Sequence, residues 1–286
     1  MASQIIESIT FDSVKGEYVI QYMANGNMET GFFVPANGVK PSVKATVNYD
    51  ESLNLFIYNY KIKNEEEAFH PMYAAEVTVD TSVNKIKSPN ENWSGRYIQW
   101  MSKVIWSKTE GLIPGISPGD TQKGFEFSSG HIPSITNMIT TSLTDIYFPN
   151  IDEELPYELS VAIDSLRERT NGIKLKTIGP RKLPEDIGHT ALLDTLYSYL
   201  AFSCDTTWIE NQGICRSLEK KLDNVSRQLE RGNTKTAANN LQAFLNELQA
   251  LKEKQLSSEA WALLYYNGQY LLEQLQQPQK DGGNRE

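Results

Sequence analysis

Residues 217–275 read SLEKKLDNVSRQLERGNTKTAANNLQAFLNELQALKEKQLSSEAWALLYYNGQYLLEQL, and this stretch decides the architecture of the C-terminal part of the chain. Apolar residues recur in it every three or four positions, which is the spacing of one face of an α-helix. Gly232-Asn233 ends the first helix, because both residues tolerate the left-handed conformation of a helix C-terminus. The stretch therefore predicts three amphipathic helices that pack as antiparallel neighbours. Their apolar stripes are Leu218, Leu222, Val225 and Leu229; Ala237, Leu241, Phe244, Leu245, Leu248 and Leu251; and Trp261, Leu264, Tyr265, Leu271, Leu272 and Leu275.

The flanks of this stretch extend the helical part. Ser257 or Ser258 offers a hydroxyl to the free N–H groups of the third helix, and Glu259 suits its positive end. Residues 191–202, ALLDTLYSYLAF, predict a fourth helix that packs with the other three. Pro180 and Pro184 mark a linker before it.

The N-terminal part has a different period. Val43, Ala45, Val47 and Tyr49 alternate with polar residues, as in a half-buried strand. Turn signals such as Asn25-Gly26 separate short strands, and this pattern favours an antiparallel sandwich. The predicted strands are Glu17–Met23, Gly31–Val34, Val43–Tyr49, Leu53–Lys63, Ala74–Asp80, Tyr97–Ser107 and Gly124–Ser128, with a returning strand at 173–180.

We therefore predict a multi-domain β + α protein, in which an N-terminal antiparallel β-sandwich precedes a C-terminal all-α helical bundle. The predicted sandwich domain spans residues 1–181, with a short helix near 157–170. The helical domain spans 182–276, and residues 277–286 form a polar, disordered tail.

Composition limits the partners. The formal net charge of −9 disfavours nucleic acid and anionic membranes, since both require a basic surface. No apolar run approaches the ~20 residues of a membrane span. The start, MASQIIESITFDSVKG, lacks the pattern of a signal peptide, so we expect either a cytosolic protein or the mature form of a secreted one.

The two cysteines, Cys204 and Cys215, exclude a cysteine-rich zinc site and do not have the spacing of a redox Cys-x-x-Cys pair. A disulfide between them would join the end of one helix to the start of the next and contribute about 3 kcal/mol. Two free, buried thiols are the alternative. We expect the disulfide if the protein works in an oxidising compartment.

Several residues of the helical part carry a family resemblance. They are Cys215, Ser217-Leu218, Lys221-Leu222, Leu229, Gly232-Asn233, Ala237, Leu241-Gln242-Ala243-Phe244, Leu256-Ser257 and Ala260. With them, the run from Trp208 to Leu275 resembles the FIMAH domain, a small helical module appended to bacterial secreted and cell-surface proteins. Leu245 departs from the isoleucine that such modules often carry at that position.

The N-terminal part resembles uncharacterised bacterial extracellular sandwiches that precede such modules. The matching residues are Tyr58 to Asn64, Trp93, Trp106, the run PGISPGDTQKGFEFSS with Gly124-Phe125, Pro133 and Thr177-Ile178-Gly179-Pro180. Together the two resemblances imply an extracellular, secreted or cell-surface location and a non-catalytic role.

The sequence offers little support for catalysis or for metal or nucleotide binding. His70, His131 and His189 lie in separate segments without metal-ligand spacing, and no Gly-x-Ser-x-Gly, Gly-x-Gly-x-x-Gly or Walker motif occurs. The runs 65–67 and 152–154 are acidic, but sequence cannot place them at the separation that a glycosidase needs. Solvated loop charge explains both runs better. We predict no catalytic residues, no metal and no cofactor.

Aromatic residues form the remaining candidate binding surface. Trp93, Tyr97, Trp100 and Trp106 fall close together, and exposed rings on a sheet could stack against sugars or partner side chains. Most of these rings are expected to fill the sandwich core instead, because large aromatics are usually buried.

The leading hypothesis is a non-enzymatic extracellular binding or scaffold protein with a protein or polysaccharide partner. A carbohydrate-active hydrolase, or its accessory domain, is one alternative, and a purely structural docking or spacer element is another. The sequence leaves the ligand and the oligomeric state open.

The cysteine pair gives a direct test. The non-reduced protein is expected to be lighter by two hydrogen atoms than its reduced form, and inert to thiol alkylation, when its intact mass is measured. Two alkylatable thiols in protein from its native source would contradict both the disulfide and the extracellular location.

Overall fold

In the computed structural model, which describes residues 5–109, 114–151 and 154–277, three antiparallel sheets precede a region of four helices. The strands are β1 (Ile6–Asp12), β2 (Glu17–Ala24), β3 (Asn27–Val34), β4 (Pro41–Asp50), β5 (Leu55–Asn64), β6 (Met72–Thr78), β7 (Asn84–Lys87), β8 (Trp93–Ile98), β9 (Lys103–Lys108), β10 (Thr121–Ser129), β11 (Ile132–Ser142), β12 (Asp145–Tyr147) and β13 (Ile173–Arg181). The helices are α1 (Tyr157–Arg169), α2 (His189–Asp205), α3 (Gln212–Glu230), α4 (Thr234–Leu251) and α5 (Ser258–Gln276). The predicted β + α architecture is confirmed.

Two of the sheets, with strand orders β4-β5-β10-β7 and β13-β11-β6-β9-β8, pack face to face as the sandwich. The hydroxyl of Tyr60 on β5 crosses the core and donates a hydrogen bond to the carbonyl of Ile178 on β13 at 2.8 Å. The ring of Trp106 on β9 packs on Phe125 and Phe127 of β10, with centroid distances of 5.6 and 6.1 Å. Aromatic side chains from both sheets therefore build one core.

Strands β1, β2 and β3 do not belong to this sandwich, although the sequence analysis placed the segments of β2 and β3 there. They form a third sheet of order β1-β2-β3-β12, which α1 covers. Leu159 and Ile163 of α1 are buried in a cluster with Ile20, Tyr22 and Phe33, separate from the sandwich core. A strand's alternation shows which side chains point inward, but not which sheet the strand joins.

The predicted strand Tyr97–Ser107 is wrong. This segment is the hairpin β8–β9, and its turn contains Ser102 in the left-handed region at φ 52°. The strand prediction also missed β1, β7, β11 and β12, whereas the returning strand at 173–180 is confirmed as β13.

The helices α2–α5 follow the prediction closely. Each of α3 and α5 packs between its two neighbours, so that the four form an antiparallel bundle around the predicted apolar stripes. Gly232 has φ 73°, and Asn233 N–H donates to the carbonyl of Gln228 at 2.9 Å, which ends α3 as expected. Ser257, not Ser258, caps α5, because its Oγ accepts from Ala260 N–H at 3.1 Å.

A disulfide joins Cys204 at the end of α2 to Cys215 in α3, as predicted. Within the described residues, no helix combines the length and apolarity required to cross a membrane. Of the predicted polar tail, residues 278–286 lie outside the described part of the chain.

Helix α5 fixes the bundle to the edge of the sandwich. Strand β4 is the outer strand of its sheet, so its free backbone groups need partners. The carboxylate of Glu259 accepts a hydrogen bond from Ala45 N–H at 2.5 Å, and the hydroxyl of Tyr266 donates to the Val47 carbonyl at 3.3 Å. Glu259 is only 5% exposed. It lies in the first turn of α5, as expected, and there it also binds the sandwich.

The helical bundle also binds the second sheet of the sandwich, through α5 and α2. The side-chain amide of Asn267, buried in α5, donates to the Pro133 carbonyl on β11 at 2.9 Å. The hydroxyl of Tyr199 on α2 donates to Ser134 Oγ at 3.0 Å. Around these bonds, one hydrophobic core runs from the sandwich into the bundle. The two parts therefore pack as one body.

Removing the buried carboxylate should loosen this junction. We expect Glu259→Ala to lower the free energy of unfolding by about 2 kcal/mol, because Ala45 N–H loses a charged acceptor and is left unsatisfied. Glu259→Gln should cost less, since an amide oxygen can still accept. Denaturant unfolding measures both, with Glu168→Ala, an exposed position on α1, as the control. A Glu259→Ala protein as stable as this control would contradict the assigned role.

Candidate binding clefts along helix α5

The four predicted aromatic residues do not form one surface. Trp93 and Trp106 are buried in the sandwich core, and Tyr97 is half-buried. Trp100 is 84% exposed, because it lies in the turn of the β8–β9 hairpin. The sequence analysis placed Tyr97, Trp100 and Trp106 on one strand, and the hairpin separates them.

The acidic runs do not build a catalytic pair in the described residues. Glu65 pairs with Lys63, accepts from Ser42 Oγ at 2.6 Å, and has a lowered pKa chiefly because of the hydrogen bond from Lys63. Glu67 pairs with Lys40 at 3.2 Å. Of the second run, residues 152 and 153 lie outside the described residues, and Glu154 is exposed. Within the described part, no three His, Cys, Asp or Glu side chains group as a metal site would require.

The histidines also lie apart. The Nε2 atom of His70 is 2.9 Å from the Gly16 carbonyl, so this ring links the third sheet to the sandwich. Burial, reinforced by the charge of Lys182, lowers the pKa of His131. The contact with Gly16 points to a structural role for the His70 ring.

The junction of the sandwich and the bundle holds a cleft of about 280 Å³, which we call the tyrosine cleft. The strand end Tyr49 and the neighbouring Phe56 form its sandwich side. The bundle side is the C-terminal half of α5. The cleft is lined by Tyr49, Asn54, Phe56, Gly130, Ile132, Tyr266, Gln269, Tyr270 and Glu273.

The rings of the tyrosine cleft contact one another across the junction. Phe56 packs edge-on against Tyr266 at 5.1 Å and lies 4.8 Å from Tyr49. The Tyr49 hydroxyl donates to Asn54 Oδ1 at 2.5 Å. Burial raises the pKa of the Tyr266 hydroxyl above its ordinary value. The cleft thus combines ring surfaces with hydroxyl, amide and carboxylate groups.

A second cleft, of about 320 Å³, opens at the other end of the same helix. We call it the lysine cleft, because Lys44 on β4 and Lys252 and Lys254 in the α4–α5 loop line it. The Nζ of Lys252 lies 3.8 Å from the centroid of the Trp261 ring. The remaining lining residues are Thr46, Val47, Asn48, Glu253, Leu256, Ser257 and Ser258.

Sequence reasoning missed both clefts. The run Tyr265-Tyr266 followed by Tyr270 was a signal, because tyrosine is amphipathic and three in six residues exceed what a bundle core needs. Nothing in the sequence showed that Tyr49 and Phe56 lie opposite them.

These features define a class of protein, a β-sandwich with a helical bundle docked on its edge. Within it, residues 193–273, from α2 into α5, match the FIMAH domain. This part of the chain is similar to the FIMAH domain, which confirms the resemblance drawn from its residues. The FIMAH domain and the sandwich together indicate a non-catalytic binding or scaffold role.

Other comparisons add less. One solved structure, a crystal structure of an uncharacterized protein from Nocardia farcinica with an immunoglobulin-like fold, is 17% identical to this chain. The match covers 46% of this chain and 95% of that one, with a TM-score of 0.29. At that score the likeness assigns nothing, and the sandwich rests on the sheets described above. No curated protein matches the chain.

Proposed function

We propose that this protein is a non-catalytic extracellular binding protein that holds a polysaccharide in the tyrosine cleft. The observation that carries the proposal is the convergence of rings and polar groups from both parts of the chain at this cleft. Sugar rings present apolar C–H faces and hydroxyl edges. Aromatic faces beside amide and carboxylate groups suit both.

The scaffold supports such a site. One wall stands on β4 and β5 and the other on α5, and buried hydrogen bonds from Glu259 and Asn267 fix the walls relative to each other. A site held by regular elements needs little ordering when a ligand arrives, so less binding free energy is lost.

The chemistry of the lining favours binding over hydrolysis. Glu273 is the single carboxylate among the lining residues of the tyrosine cleft. Glycosidases ordinarily use a pair of carboxyl groups on opposite sides of the scissile bond. A lone carboxylate can accept hydrogen bonds from sugar hydroxyls without cleaving the chain.

The proposed location is outside a bacterial cell, as in the proteins that the sequence resembles. The Cys204–Cys215 disulfide supports it, because such bonds persist in oxidising compartments and are rare in the cytosol.

Ring removal tests the site. We expect Tyr49→Ala and Tyr270→Ala each to weaken polysaccharide binding about tenfold, because losing one stacked ring removes roughly 1.5 kcal/mol. Calorimetry against a panel of soluble polysaccharides measures the affinity, and a reducing-end assay on the same samples measures cleavage.

Tyr157→Ala is the matched control, since Tyr157 is 82% exposed on α1, outside the lining of the cleft. Thermal melts show whether the variants remain folded. Binding that both cleft variants retain, or no binding to any polysaccharide, would refute the site, and release of reducing ends would replace the proposal with the hydrolase.

A further inference from the structure

The lysine cleft and the tyrosine cleft share one helix. Trp261 lines the first and Tyr270 lines the second, nine residues further along α5, which corresponds to roughly 14 Å of helix. Between them α5 carries the half-buried Tyr265 and Tyr266, and the ring of Tyr265 stacks on that of Trp261 at 4.8 Å. A polymer lying along this helix would contact both clefts.

The charges of the lysine cleft are not neutralised nearby. Among the described residues, none of Lys44, Lys252 and Lys254 has a carboxylate within ion-pairing distance. Six lysines elsewhere in the described part of the chain do form such pairs. Glu253 is the single acidic residue of the lining. Glu259 lies beside the cleft, and its hydrogen bond from Ala45 N–H does not cancel its charge, but three lysines still outnumber these two carboxylates. The cleft is therefore positive on a protein whose net charge is −9.

Trp261, which lines the lysine cleft, carries a donor without a partner. The indole N–H of Trp261 is buried and has no acceptor among the described residues. A buried N–H without an acceptor is costly, and such groups ordinarily have a partner. A ligand oxygen reaches this N–H only if the side chains around Trp261 shift, so the lysines carry the attraction for an anion.

We propose that the polysaccharide held in the tyrosine cleft is acidic, and that the lysine cleft binds its carboxylate or sulfate groups. This inference rests on the proposed function and names its ligand class. Charge complementarity selects the ligand, since the lysines attract an anionic polymer that the rest of the acidic surface repels. Lys44 and Lys254, both exposed, supply this attraction, while Lys252 packs on Trp261.

Two matched pairs of polymers test the inference. Polygalacturonate is compared with its methyl ester for carboxylate, and dextran sulfate is compared with dextran for sulfate. We expect the wild-type protein to bind the charged member of at least one pair roughly tenfold more tightly, with an affinity that falls as salt screens the charges. The pair that discriminates identifies the anionic group.

The double variant Lys44→Gln and Lys254→Gln should lose roughly tenfold in affinity for the charged polymer and leave binding of the neutral one unchanged. The double variant Lys220→Gln and Lys235→Gln, at exposed positions on α3 and α4, makes the same charge change away from the cleft and should bind as the wild type does.

Equal affinity for charged and neutral polymers, or full affinity in the lysine-cleft variant, would overturn the acidic ligand and leave the polysaccharide site standing. Failure of all four polymers to bind would overturn the acidic ligand, while the wider polysaccharide panel decides whether the tyrosine cleft stands. Loss of affinity in the control variant as well would show attraction by overall charge alone, which also refutes the lysine cleft.

Discussion

The hydrogen bond from Ala45 N–H to the carboxylate of Glu259 connects the two halves of this protein, and much of the rest depends on it. An edge strand carries unpaired backbone groups that invite pairing with other chains. Here α5 covers the edge of β4, and the carboxylate and the Tyr266 hydroxyl satisfy the strand's donor and acceptor. A buried carboxylate is costly without partners. The contact therefore favours the register of helix against strand in which Glu259 meets Ala45.

The helical bundle, which is similar to the FIMAH domain, is docked on the sandwich and does not stand apart from it. A small helical module at the end of a chain could act as a separate unit on a flexible linker. In this protein its last helix supplies side chains to a core that is continuous with the sandwich. The disulfide between α2 and α3 acts within the bundle, while Asn267 and Tyr199 act between the bundle and the second sheet. The bundle is therefore stabilised both by a covalent bond within it and by hydrogen bonds to the sandwich.

Both candidate clefts are consequences of this docking. Tyr49 and Lys44 belong to one edge strand, and each meets a different end of α5. Without the helix against β4, Tyr49 and Phe56 would form only the end of a sandwich, and Lys44 would be one solvated lysine among many. The clefts offer rings and cations because residues of the sheet and of α5 line each of them together.

The sequence by itself determined the local structure of the helical part. The stripe from Leu218 to Leu229, the stop at Gly232, the cysteine pair and the FIMAH resemblance were all readable, because helix periodicity and capping depend on residues only a few positions apart. The alternation along β4 and the aromatic core of the sandwich were readable for the same reason. Only the tertiary structure decided that β1–β3 leave the sandwich, that Trp100 lies in a turn, and that Glu259 meets Ala45. The first and the last of these outcomes join residues far apart in the sequence, up to 214 positions, and the packing of whole elements, not any local pattern, brings such residues together.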